Sequence, residues 1–366
     1  MTETSTEAPR RTPLYDSHKS LKARLVPFAG WDMPVSYSGI IEESKAVRTN
    51  VGLFDISHMG RTHIHGPGAT TLLQQLTSND VSALTPGKAQ YSLLTNPQGG
   101  IIDDIIVYCK DADDYMVVIN ASNTAKDLEW IRGHAGDDTS IDDNTEQTAM
   151  IAVQGPSAPE LVHGLTKSDV SLLDLDRFAY ATGTINNVPA TLCRTGYTGE
   201  DGFEVIVPAD RAVEVWERLI SEGGVPCGLG ARDALRIEAG YPLYGHEIDD
   251  ATTPVEAALM WVVKLAKGPF TGSEIIADTK AKGAGRKLVG ISLQERIVPR
   301  QGYTLYKRDE VVGTVTSGIF SPTTGHSIGM AYVSDPHNKP DTEIEVEIRT
   351  NRYTAVVVPK KDLLKA

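Results

Sequence analysis

The stretch Gly99-Gly100-Ile101-Ile102-Asp103-Asp104-Ile105-Ile106-Val107-Tyr108 sets two adjacent carboxylates inside a β-branched apolar run with the composition of a strand. Strand side chains alternate, so Asp104, Ile106 and Tyr108 share one face while Asp103, Ile105 and Val107 share the other. Whichever face turns inward takes a carboxylate with it. An ionised Asp against Ile and Val is costly unless it is paired or hydrogen-bonded, which makes such an Asp a candidate for binding or chemistry. The other reading is turn chemistry: Asn96-Pro97-Gln98-Gly99-Gly100 opens a turn that one Asp caps while the other is solvated.

On either side the pattern continues as strands. Tyr91-Ser92-Leu93-Leu94-Thr95 forms a hairpin with the opening stretch, and 114–120 reads as a third strand ending in Asn120, whose amide offers donors and an acceptor. Three adjacent antiparallel strands bring Tyr91, Asp104, Tyr108 and Asn120 together. A helix over 123–134 follows. Upstream, 25–37 reads as strand and turn, 40–50 as a helix with acids early and bases late, and 54–65 as one alternating strand. His58, His63 and His65 in that strand invite a metal reading. His63 and His65 share a face, but Asp55, the only acid in the stretch, lies too far along to complete a sphere, so exposed strand histidines and no metal are expected.

Downstream, 149–156 is strand and turn, 158–165 helix, and 190–208 a pair of strands around the acidic, glycine-rich turn Gly196-Tyr197-Thr198-Gly199-Glu200-Asp201-Gly202. Glu204 heads the second of these strands, on one face with Ile206. No phosphate cradle fits an acidic loop without a following GK[ST]. After an amphipathic helix over 212–222, the segment 228–241 enters a short helix with Arg232 and Arg236 one turn apart. Each either pairs with Asp233 or Glu238 or serves an anionic ligand. Residues 264–272 read as a linker. The strands at 288–293, 311–316, 343–348 and 355–358 then give an all-β barrel or jelly-roll pattern.

Composition narrows the function class. A chain of 366 residues with 40% hydrophobic residues forms two or three domains with a sizeable core, and 48 acids against 35 bases give a net charge of −13, the wrong sign for gripping nucleic acid. The segment 280–310 is locally basic, either a solvated face or a landing surface for an acidic partner. No run is long and apolar enough to span a bilayer, and the polar start of the chain lacks the features of a signal or transit peptide, which points to the cytoplasm. Residues 1–13 are expected to be a flexible tail. Cys109, Cys193 and Cys227, far apart and without a CxxC, read as core thiols.

Six stretches, in chain order, resemble the T-protein family of the glycine cleavage system, the tetrahydrofolate-dependent aminomethyltransferases. They are Pro27-Phe28-Ala29-Gly30-Trp31, Phe54-Asp55-Ile56-Ser57-His58-Met59-Gly60, Gly99-Gly100-Ile101-Ile102-Asp103-Asp104, Gly196 through Glu204, Ala231-Arg232-Asp233-Ala234-Leu235-Arg236-Ile237-Glu238-Ala239-Gly240 and Thr253-Pro254-Val255-Glu256-Ala257, within a likeness running over about 14–359. The resemblance implies an α+β fold: a three-domain cloverleaf of mostly antiparallel sheets with helices, folate in a central channel, and a C-terminal all-β barrel or jelly roll. Its domains would be a folate-binding region over 14–280, made of 14–56 with 146–260 and of 57–145, followed by the barrel over 285–366. It implies tetrahydrofolate as co-substrate, no metal, and the lipoylated H-protein as partner. Products would be 5,10-methylenetetrahydrofolate, ammonia and dihydrolipoyl H-protein.

Carried over motif by motif, the catalytic carboxylate falls on Asp104, in agreement with the strand parity that puts it beside Tyr108. The pterin-binding acid falls on Glu204, and other pocket residues fall on Tyr91, Tyr108, Asn120, Tyr197, Arg232, Tyr241, Trp261 and Met59. No site residue carries over from 349–366. The residue types suit the chemistry: a carboxylate accepts paired N–H bonds from a pterin edge, aromatics wall the ring, and an anion near the reacting nitrogens holds the nucleophile and stabilises developing iminium-like charge. The rival readings are a folate-binding protein of iron-sulfur cluster maintenance within the same superfamily, the folate domain of a demethylating dehydrogenase or oxidase, and a folate-binding or assembly protein without turnover, which would keep Glu204 and not need Asp104. The first would carry a Lys-Gly-Cys-Tyr type motif where this chain has Lys267-Gly268-Pro269-Phe270, and the second would follow a GxGxxG flavin module, which is missing.

Overall fold

The carboxylate stretch lies in strand Ile101–Asp111, second in a five-stranded antiparallel sheet of order Ala89–Thr95, Ile101–Asp111, Asp114–Ile119, Gly60–His65, Ser140–Asp143. A computed structural model describes residues 8–365. Strand alternation sorts the two acids between two environments. Asp103 goes with Ile105 and Val107 into a core covered by helices Ala69–Leu76 and Thr124–His134, whose Leu72, Leu73, Leu76, Leu128 and Ile131 are buried there. Asp104 goes with Ile106 and Tyr108 onto the opposite face. That face meets Met150 and Ile206 of a second sheet.

The second sheet has seven strands, in the order Thr166–Lys167, Tyr180–Ile185, Val188–Cys193, Gly202–Pro208, Thr148–Gln154, Gly52–Asp55, Val225–Pro226, of which only the last pair is parallel. Its other face packs on helices Ala158–Leu165 and Ala212–Ser221. Six strands between Arg286 and Val358 close a barrel around Ile291, Val315, Val333 and Val346. Two of them, Thr304–Lys307 and Ser327–Ser334, were not expected. The second hides its alternation because Ala331 and Val333 fill the barrel while Ile328 and Met330 pack outward on Ile237, Leu288 and Leu363. All three cysteines are buried and free. Among the described residues no helix is long and apolar enough to cross a membrane.

Three expectations are corrected. The alternation over 54–65 is not one strand: Gly52–Asp55 pairs in the seven-stranded sheet, Gly60–His65 in the five-stranded one, and 56–59 crosses between them. The break follows from Asp55, whose buried carboxylate accepts from Thr12 Oγ1 at 2.6 Å and from the Ser57 amide at 2.9 Å and lies 2.8 Å from His18 Nε2. His58 is therefore buried, edge-on to Phe28, and is not an exposed strand histidine. The same carboxylate holds the buried Thr12, and Arg10 stacks 4.2 Å over Trp31, so the chain is tethered at these two points where a free tail was expected. Residues 1–7 of that tail lie outside the described residues.

The linker reading of 264–272 also fails, because Lys267 pins it. Its Nζ donates to the carbonyl oxygens of Gln74 at 2.7 Å, Thr77 at 2.6 Å and Asn79 at 2.8 Å, closing the C-terminal end of helix Ala69–Leu76. Lys267→Met keeps the aliphatic stem and removes all three donors. The expected loss is about 1–3 kcal/mol of unfolding free energy, read from urea melts, and an unchanged midpoint would show these bonds to be replaced by water.

Candidate active site

Between the two sheets, the turn after helix Leu229–Glu238 and the flank of the barrel lies a cavity of about 580 Å³, of the size that takes a drug-sized or cofactor-sized molecule. Asp104 opens into it from one wall. Its Oδ2 accepts from the Tyr91 hydroxyl at 3.0 Å, and its Oδ1 accepts from Asn120 Nδ2 at 2.8 Å. The hairpin supplies the first contact and the end of the third strand the second, as the strand register requires. Burial, together with the charge of Asp103 next door, pushes the Asp104 carboxyl up to about 7, against the pull of its two hydrogen bonds. A carboxyl so placed exchanges a proton near neutral pH.

Asp103 does not close a turn. It is wholly buried, with Oδ1 accepting from Asn120 Nδ2 at 2.9 Å and Asn123 Nδ2 at 2.7 Å and Oδ2 accepting from the Asn120 amide at 3.2 Å. Asn120 thus straddles both acids and locks the Asp104 rotamer.

Glu204 stands in the facing sheet, buried, with Oε2 accepting from the Thr195 hydroxyl. Burial raises its pKa, opposed by that bond and by Arg232. Its Oε1 has no partner among the described residues. Arg232 stacks 4.7 Å over the Tyr197 ring and makes no side-chain hydrogen bond among the described residues, pairing with neither Asp233 nor Glu238. Its guanidinium is left for a ligand. Arg236 instead takes Asp233 and Glu247, and Glu238 takes Arg48 at 2.8 Å. Tyr197 donates its hydroxyl to the Pro242 carbonyl and leans on Tyr241 at 5.8 Å between centroids, forming one aromatic wall. At the rim Trp261 stacks on Tyr91, 5.6 Å between centroids and 10° off parallel, with 60% of its surface exposed. Met59 lines the same cavity.

Tyr108 is placed differently from the expectation. It is fully buried behind the wall, its hydroxyl 3.0 Å from Thr195 Oγ1, because its end of the strand is already covered by the second sheet and Tyr180. It reaches the cavity only through Thr195 and Glu204. Thr195 itself was missed, although it immediately precedes the motif carrying Tyr197. Residues 349–366 contribute too: Val357, Lys360 and Lys361 line the barrel side with Lys287 and Leu288. Nothing local marks them, since barrel closure alone brings them there.

His63 and His65 lie outside the cavity, rings stacked at 4.3 Å. Neighbouring strands supply the acids that a single strand lacked, Asp114 at 2.6 Å from His63 and Asp142 at 2.9 Å from His65. Lys110 Nζ lies 3.1 Å from His63 Nε2 and 3.3 Å from Asp114, while one ligand atom each from His63, His65 and Asp142 lies within 4.8 Å of the others, a spacing that could hold a metal ion.

Comparison with known proteins matches this architecture to one family. The GCVT N-terminal domain matches residues 14–267, and the glycine cleavage T-protein C-terminal barrel domain matches 286–361. The chain belongs to the glycine cleavage T-protein family. Relatives within it include the aminomethyltransferase of Bacillus subtilis, 44% identical over 355 residues (95% of this chain, 98% of the relative). Another is the aminomethyltransferase of Symbiobacterium thermophilum, 48% identical over 363 residues, 96% of each chain. The crystal structure of the glycine cleavage system aminomethyltransferase T from Bartonella henselae superposes with a TM-score of 0.90 at 33% identity, covering 96% of this chain and 97% of that one. T-protein architecture thus extends over both sheets and the barrel.

Proposed function

We propose that this T-protein family member is the aminomethyltransferase of a glycine cleavage system. It would move the methylene carbon from the aminomethyl group on the lipoyl arm of an H-protein to tetrahydrofolate, releasing ammonia and leaving the dihydrolipoyl arm. The observation that carries the reading is the pairing, across one cavity, of a carboxylate poised near neutrality with a buried carboxylate and an unpartnered guanidinium on the facing wall.

The residues fit tetrahydrofolate as a substrate. Glu204 Oε1 and Arg232 are free to meet the amino and oxo groups of a pterin edge, and a carboxylate accepting two N–H bonds gives charge-assisted specificity. Tyr197 and Tyr241 wall the ring and exclude water, which strengthens those contacts. Asp104, held by Tyr91 and Asn120, is assigned to the reacting nitrogens. As an anion it stabilises positive charge developing on the methylene carbon, and with its raised pKa it can also take the proton that the folate nitrogen gives up on bond formation. Both reacting folate nitrogens exchange an N–H for an N–C bond, and the two protons leave, one on the ammonia and one on the lipoyl sulfur, so no net acid or base is consumed.

The deciding experiment is ammonia release from the purified chain supplied with tetrahydrofolate and aminomethylated H-protein. Ammonia in step with methylenetetrahydrofolate is expected. Folate binding without ammonia would make this a non-catalytic folate carrier. Within the same assay, Glu204→Gln loses the charge on the pterin contact. The Kd for tetrahydrofolate is expected to rise about 10- to 100-fold while kcat at saturation changes by less than about threefold. The opposite split would move Glu204 from recognition to chemistry.

A further inference from the structure

Behind Asp104 lies a third carboxyl that the mechanism above does not use. Asp127 sits in the first turn of helix Thr124–His134 and is wholly buried, and neither of its carboxyl oxygens receives a hydrogen bond from any N–H or hydroxyl donor. Its backbone amide bonds to Asn123, one turn back, whose side chain donates to Asp103. With Asn123 tied to both, the Asp127 and Asp103 carboxyls lie within hydrogen-bonding reach of each other, and Asp103 raises the cost of ionising Asp127 while Asp127 lowers that of Asp103.

Two carboxylates in contact inside a core, both ionised, repel at low dielectric and forfeit solvation, unless a cation lies between them. The nearest candidate is committed elsewhere: Lys126 Nζ donates to the Ile102 carbonyl at 2.6 Å and the Tyr244 hydroxyl at 2.8 Å, and reaches out toward Asp250 at 3.8 Å. The remaining way to satisfy the contact is one proton, held as an O–H···O⁻ bond. The partners of the two acids say which keeps it. Asp103 accepts three N–H bonds, which favour its carboxylate, whereas Asp127 has none.

We propose that Asp127 is the protonated member of an acid–carboxylate pair with Asp103, and that the pair holds a single fixed negative charge directly behind the reacting carboxylate Asp104. Asp103 and Asp127 are then positioning residues. They touch no substrate and act through the charge they present and through Asn120, which bonds Asp103 and Asp104 together. Burial raises both carboxyls of the pair, and Asp103 in turn raises Asp104. Asp104 also faces Glu204 and Arg232 across the cavity, an acid and a base of opposite charge, and Tyr91 and Tyr197 beside it, neither of which titrates near neutrality because burial pushes both phenols up.

The kinetic consequence rests on the aminomethyl-transfer reading; the proton itself does not, so the test has two arms. Infrared spectra of the intact chain at pH 9, where the Asp104 carboxyl at about 7 has ionised, are expected to show the carbonyl stretch of a buried, protonated carboxylic acid, and Asp127→Asn is expected to remove it. The amide that Asp127→Asn introduces still offers an N–H to Asp103 and leaves the charge of the pair unchanged. The acid limb of kcat against pH should therefore stay in place in Asp127→Asn, with kcat within about threefold of wild type. Asp103→Asn removes the charge, and the limb should move acidward by about one pH unit. Persistence of the infrared band in Asp127→Asn overturns the proposal. So does an acidward limb in Asp127→Asn, since it would mean that residue 127 carries the charge. If Asp103→Asn does not fold, the Asp127→Asn pair of readouts still decides. If the chain releases no ammonia at all, the infrared arm stands alone and the failure belongs to the functional reading.

Discussion

Asp104→Asn should lose about 100-fold in kcat, leave the Kd for tetrahydrofolate within about threefold, and melt no lower than the wild-type chain. The kinetic loss follows from geometry. Asn keeps a side chain able to meet Tyr91 and Asn120, so the cavity wall survives, but the anion beside the reacting nitrogens is gone. The stability part follows from linkage. Burial and the Asp103 charge raise the Asp104 carboxyl to about 7 in the folded chain, from 3.8 ordinarily. Between those values the folded state binds more protons than the unfolded one, so stability falls as pH rises through this window. At neutral pH the ionised carboxylate is thus a cost to the fold, and a neutral amide relieves it. The same pKa puts the acid limb of wild-type kcat near pH 7, because the anion forms only above it. A variant with wild-type turnover would retire Asp104 as the reacting carboxylate, and one with lost folate binding would make it a recognition residue.

Strand parity shows only that one of the two acids lies on each face of the sheet, and the choice of Asp104 over Asp103 rests on the family resemblance. Ile105 and Val107 had to face a core, and the neighbour of Asp103 had to take the other side. Glu204 likewise rests on the resemblance, with alternation adding only that it shares a face with Ile206. Asp127 was not legible. In sequence it is an acid in the first turn of a helix, where the dipole alone accounts for it, and only the fold shows both oxygens buried against another carboxyl. Tyr108 shared the parity of Asp104 but lay further along the strand, beyond where the facing sheet closes over it. The strand break after Asp55 was hidden because its cause, Thr12 and His18, lies far back in the chain. Lys360 and Lys361 follow a barrel strand, and nothing short of the closed barrel places them at the cavity.

Arg236→Met should cost the fold about 3–5 kcal/mol, the largest stability loss anticipated for a single side chain here. The arginine is almost fully buried, with Nη1 bonding Glu247 Oε2 at 2.7 Å, Nε bonding Asp233 Oδ1 at 2.9 Å and Nη2 bonding Ser317 Oγ of the barrel at 2.6 Å. Glu247 is equally buried, and with Arg236 gone its charge keeps only the Leu243 amide at 3.0 Å. The penalty is that stranded carboxylate, so Arg236→Met with Glu247→Gln should recover much of the loss; a double variant no better than the single one would place the cost in lost packing. Lysine at position 236 should not substitute, because one ammonium cannot reproduce three divergent contacts from a planar fork. The site feels the change through one strut: Arg236 also donates to the Tyr241 carbonyl at 3.2 Å, and its own carbonyl accepts the Tyr241 amide at 2.8 Å, fixing the turn that carries the aromatic wall. Folate affinity should therefore weaken together with stability, while turnover at saturation holds, since Asp104 and its partners hang from the other sheet. That is the reverse of the Asp104→Asn outcome. Measured side by side, urea midpoints and kcat would assign the two buried charge clusters to different work, one joining the barrel to the aromatic wall and the other tuning a carboxylate for chemistry.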